Sequence, residues 1–83
     1  MSVHWSEEAL AELERRGIEP ALVQRALAAP DEIEPGPPLV HGLRFWDMGL
    51  NREMWLRVRL ERGAGGLTLL GATKEQVYPD PAA

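Results

Sequence analysis

The chain contains no cysteine. That excludes disulfides and thiolate metal sites, and it predicts a cytoplasmic setting. Histidine occurs only at positions 4 and 41, with no close acidic cluster beside either, so no metal site and no cofactor are expected. No apolar run approaches the ~18 residues of a membrane span. The opening "MSVHWSEEAL" has neither a basic region nor an apolar core, so it predicts no secretory signal and no membrane partner. Internal repeats and low-complexity tracts are missing too. "GAGG" at 63–66 lacks the lysine and the strand-before, helix-after setting of a phosphate loop. Ser2 and Ser6 lie at a terminus and at a helix cap, where neither reads as a nucleophile.

What is present suits one small domain, residues 1–78, with a flexible tail over 79–83. At 83 residues a chain buries only about 60% of the surface it exposes when unfolded, and 45% hydrophobic residues is ordinary for a globular domain. The net charge of −4 conceals a division. Residues 1–43 carry eight acids against three arginines, whereas residues 44–83 carry six bases against five acids. An anion-binding site therefore belongs to the second half.

"WSEEALAELERRG" predicts a helix. Ser6 caps it, Glu7 and Glu8 complement its positive end, Arg15 and Arg16 its negative end, and Gly17 stops it. Trp5 and Leu10 have the spacing of a hydrophobic staple, and Ala9, Leu10 and Leu13 make a narrow apolar stripe. "IEPALVQRALAAP" repeats the design, with Pro20 at the first helical position and an end forced near Ala29 by Pro30. Its stripe is Leu22, Val23, Ala26 and Leu27. The short connection predicts a helical hairpin.

Beyond Pro30 the period falls to two. "DEIEPGPP" allows a short strand at Ile33 and then a turn. In "LVHGLRFWDMG", Leu43, Phe45 and Asp47 share one face, and Arg44, Trp46 and Met48 the other. In "MWLRVRLE", Met54, Leu56, Val58 and Leu60 alternate with Trp55, Arg57, Arg59 and Glu61. "RGAGG" reads as a hairpin loop and "LTLLGAT" as a central strand, apolar on both faces. Thr73 and Gln76 have capping-box spacing, which predicts a short C-terminal helical turn. The expected architecture is α+β: an N-terminal helical hairpin packed on a three- to four-stranded antiparallel sheet, a two-layer sandwich.

"HWSEEA", "RRGI", Pro30, "RF", Gly49, "LRVRLERG" and "ATKEQVY" follow one another in the order seen in BrnT-type toxins and their relatives. The chain therefore resembles the RelE/ParE superfamily of small bacterial toxin–antitoxin proteins. "SEEALAELERRGIEPALVQRALAAP" is similar to a related group with the pattern S-x-H-A followed by R-G-I. Order and spacing carry the resemblance, over about residues 4 to 78. The sequence departs from these patterns at Glu8 and Arg16, where the relatives have histidine, and at "LLGA", where they carry an arginine.

The resemblance implies a RelE-like fold and metal-independent cleavage of mRNA, with an antitoxin protein holding the activity in check. In that chemistry the 2′-hydroxyl attacks the phosphate, a base removes its proton, and cations stabilise the added charge. Arg57 and Arg59 would face the phosphate, whose geometry guanidinium forks match. His41, Lys74 and Tyr78 are the candidates for proton transfer. Arg44, Trp46 and Trp55 are the candidates for RNA binding, the tryptophans by stacking on bases.

Each residue also has an ordinary structural reading. Strand arginines solubilise a sheet and pair with acids such as Glu53 or Glu61. The tryptophans can cover that face or fill a homodimer contact. His41 can be a loop residue, His4 structural, and Tyr78 a tail anchor. The alternative function is therefore a catalytically inactive RelE-like protein-interaction module, whose Trp/Arg face or open sheet edge binds a peptide or a second copy.

Overall fold

The computed structural model describes residues 3–77. Its elements run β1 (Val3–Trp5), α1 (Glu7–Arg16), α2 (Pro20–Ala28), β2 (Glu32–Glu34), β3 (Leu39–Asp47), β4 (Arg52–Gly63) and β5 (Gly66–Gln76). Tyr78 and the tail over 79–83 lie outside the described residues.

The helices form where local chemistry places them. The Ser6 hydroxyl accepts the Ala9 amide at 3.1 Å, which satisfies one of the free donors at the start of α1. Gly17 ends the helix in the left-handed conformation, φ 67°, which costs glycine little. Pro20 opens α2. Of the expected stripes, Ala9, Leu13, Val23 and Ala26 are buried, and Leu22 and Leu27 pack against the core. Leu10 is a correction: it is 42% exposed, because α1 crosses the sheet on Ala9 and Leu13 alone.

The strands form one five-stranded sheet in the order β1-β5-β4-β3-β2. Both helices cover one face: α1 lies over β5, and α2 over β3 and β4. The period-two reading of β4 holds, since Met54, Leu56, Val58 and Leu60 are all buried. With Leu39, Leu43, Leu69, Ala72 and the helix stripes, Leu56, Val58 and Leu60 make the single core. The α+β two-layer architecture is thus as expected, but the sheet has five strands and is mixed. β1 runs parallel to β5, pairing Val3 with Leu67 and Trp5 with Leu69. Three residues are too few to show a period, and their partner lies at the far end of the chain, so only folding reveals this strand.

Two further expectations fail. Thr73–Gln76 do not start a helix. They continue β5, with Thr73 opposite Arg57 and Gln76 opposite Met54. β4 offers a long ladder of donors and acceptors, and pairing with it outweighs a local capping signal. Nor is β5 central along its length. β1 stops at the Leu69 pairing, and a bulge at Arg59/Leu60 turns Leu70 outward, so Leu70 is 38% exposed. Among the described residues, no helix is long and apolar enough to cross a membrane.

Candidate functional site: the open sheet face

The face turned away from the helices is set by register. Across β3 and β4, Val40 stands opposite Arg59, Gly42 opposite Arg57, Arg44 opposite Trp55, and Trp46 opposite Glu53. Trp55 is the centre of this surface. Its ring packs over Gly42, where a Cβ would lie 3.4 Å away, in ordinary contact. The guanidinium carbons of Arg44 and Arg57 each lie 5.6 Å from the ring centroid, within cation–π range. Two cations thus flank one aromatic ring.

Both cations are matched by carboxylates. Arg57 Nε donates to Glu75 at 2.8 Å, and its Nη1 lies 3.6 Å from Glu34. The Glu75 hydrogen bond raises the Arg57 pKa above its ordinary value; burial opposes this, and the charges of Glu75, Glu34 and Glu32 reinforce it. Arg44 is paired with Glu53, and its backbone N–H donates to Asp31 at 2.8 Å. Arg59 leaves the group altogether. Its Nη2 donates to both oxygens of Glu12 on α1, at 3.0 and 3.2 Å, and Glu12 also accepts from Arg16 at 3.1 Å. Exposed pairs of this kind contribute about 0–1 kcal/mol each, so they order the surface more than they stabilise the fold.

The proton-transfer candidates lie elsewhere. His41 stands opposite Val58 on the helix-covered face, its Nδ1 3.2 Å from the Ala26 carbonyl oxygen. Lys74 stands opposite Leu56 on that same face and donates to Asp47 Oδ2 at 3.0 Å. Tyr78 lies outside the described residues. The sheet therefore brings Arg44, Trp55 and Arg57 together, with Trp46 beside them and 56% exposed, and separates this group from His41 and Lys74. A phosphate approaching Arg57 would have to displace Glu75 and Glu34. Among the described residues, no group of three or more His, Cys, Asp or Glu is placed to hold a metal ion.

Sequence reasoning missed Glu12, Glu34 and Glu75 as the partners of the strand arginines: Glu12 comes from α1 and Glu34 from β2, neither of which pairs with β4, and Glu75 lies in the stretch expected to start a helical turn, which instead continues β5 beside β4. Glu53 was legible as a cross-strand acid. Glu61, the other candidate, faces Thr68 instead. Compared with protein-family models, curated proteins and solved structures, the chain matches none.

Two carboxylates outside this face give the fold a pH signature. In Asp47 the Leu50 backbone hydrogen bond, then Lys74, lowers the pKa below its ordinary 3.8. Partial burial pushes Glu12 up, but the hydrogen bond and charge of Arg59, backed by Arg16, more than reverse this and leave it below 4.5. Both groups bind fewer protons folded than unfolded, so their contribution is present above the ordinary carboxylate range and is lost as pH falls below about 4. Urea midpoints measured from pH 7 to pH 2 should fall in that window, and less so in the Glu12→Gln/Asp47→Asn variant. An equally steep fall in the variant would rule these two groups out as its cause.

Proposed function

We propose that the chain is a toxin–antitoxin-type protein on a RelE-like scaffold that works in the cytoplasm by protein contact and not by cutting RNA. A partner protein of the antitoxin kind would lie across the open sheet face. One observation carries this reading: each arginine of the candidate catalytic face is already matched by a carboxylate, with Arg57 on Glu75 and Glu34, Arg44 on Glu53, and Arg59 on Glu12. A ribonuclease needs cations available to the phosphate and a proton acceptor within reach of the same atom. A surface of matched charges around a half-buried tryptophan instead suits a protein contact, where charge pairs set register and an aromatic anchors.

The metal-independent ribonuclease remains the second reading. It is favoured by the indole of Trp55 between two guanidinium groups, an arrangement that could stack a base and grip its phosphates. One experiment separates the two. Purified protein is incubated with RNA and a chelator, beside an Arg57→Ala/Arg59→Ala variant whose folding is checked by circular dichroism. The parent should cut no faster than the variant. Cleavage leaving cyclic phosphate ends, lost in the variant, would overturn the contact reading in favour of the nuclease.

A further inference from the structure

The open sheet face changes sign on folding. Along the chain the arginines crowd residues 44–62, and the acids crowd the first half. The register then sets Glu32 opposite Gly42 and Glu34 opposite Val40, on the side of the sheet that carries Arg44, Trp55 and Arg57. Glu75 joins them from β5, opposite Trp55. Glu53 and Glu61 stand on the same side of β4 as Trp55 and Arg57.

Five carboxylates thus share a face with two guanidinium groups, Arg59 being engaged by Glu12 of α1. Residues 3–77 carry twelve acids and nine bases, a net charge of −3. The seven acids and seven bases that lie elsewhere cancel, so the whole of that charge belongs to this one surface. It is densest around Arg57. Glu75 and Glu34 lie 2.8 and 3.6 Å from its guanidinium, and the charge of Glu32 reaches it as well.

These acids surround an aromatic centre, Trp55 half-buried and Trp46 56% exposed, so the face offers contact area as well as charge. A nucleic-acid strand is repelled from it. A second copy of the chain presents either the same negative face or surfaces with no net charge to offer. A cationic segment is what complements it, and the ring of Trp46 can take one of its cations. The carboxylates run across β5, β4, β3 and β2. Neighbouring strands are about 4.8 Å apart, so roughly five extended residues span the set.

We propose that the open sheet face docks an extended, basic protein segment, whose lysine and arginine side chains meet Glu32, Glu34 and Glu75 while one of them lies on the ring of Trp46. This rests on the reading of the face as a protein contact and adds the chemistry of its partner.

The test uses a labelled octapeptide of alternating arginine and leucine, followed by fluorescence anisotropy at about 20 mM salt. It should bind, and raising the salt to about 0.3 M should weaken it at least about tenfold. Glu32→Gln/Glu34→Gln should raise the dissociation constant at least about fivefold. Glu7→Gln/Glu8→Gln removes the same amount of charge from α1 and should leave binding as it is. No binding of the basic octapeptide, or equal weakening by the two variants, overturns the proposal. An octapeptide with glutamate in place of arginine and a single-stranded RNA separate this failure from that of the contact reading. Preferential binding of the acidic peptide, lost in Trp46→Ala, overturns the charge assigned to the partner and keeps the protein contact. Preferential binding of the RNA, lost in Arg57→Ala, overturns both.

Discussion

Replacing Leu56 with alanine should lower stability by about 2–5 kcal/mol and the thermal midpoint by roughly 10–25 °C. Leu56 is fully buried in β4, which has a strand on either side, with Leu43 across one ladder and Lys74 across the other. The cost combines the transfer of the lost methyl groups with the cavity they leave, and a central strand held on both flanks cannot close over that cavity. An 83-residue domain has about 4–12 kcal/mol in all, so this one truncation removes a large share. Urea denaturation should show a lower midpoint at an unchanged slope. Met48→Ala, at an 83% exposed position, should stay within about 0.5 kcal/mol. If the two variants were equally stable, the assignment of β4 as the centre of the core would be wrong.

Gly71→Ala should cost about 1–3 kcal/mol, although it adds a single methyl group on a strand. Gly71 stands opposite Arg59, and a Cβ built there would collide with the carboxylate of Glu12 and the guanidinium of Arg59. The ion pair crosses directly over the glycine, so the methyl and the Glu12–Arg59 contact cannot occupy the same space. Both side-chain ends can swing away. The loss is then that contact together with the repacking of both side chains around the methyl group; among the described residues it is the only side-chain ion pair between α1 and the sheet's central strand. A double-mutant cycle isolates it. Glu12→Ala removes the obstacle, so Gly71→Ala should cost less on the Glu12→Ala background than on the parent, by more than the 0.3–0.5 kcal/mol within which independent sites add. Strict additivity would mean that the glycine serves the bulge and not the ion pair.

These two positions differ in how far they could be read from the sequence. Leu56 was legible, because "MWLRVRLE" alternates and an alternation admits only one buried side. Gly71 was not. Nothing near it in the chain announces that a carboxylate from α1 will lie across it. The arginine face divides in the same way. That Arg57 and Arg59 share a side of β4 follows from period two. That they do different things follows from the β5 bulge and the end of β1, which let Arg59 reach α1 while Arg57 meets Glu75 and Glu34. His41 and Lys74 were grouped with the arginines by the likeness to a toxin family, but their strand parity puts them on the opposite face.

The sequence by itself determined the helical hairpin, its caps, the two long strands and the inward side of β4. Each of these depends on interactions within a few residues or on a simple period, so neighbours along the chain contain the information. Only the tertiary structure decided the parallel strand β1, the continuation of β5 through Thr73–Gln76, the seat of Trp55 over Gly42, and the carboxylate partner of Arg57 and of Arg59. Those depend on pairing register and on groups brought together from distant parts of the chain, where a shift of one residue would turn every side chain to the other face.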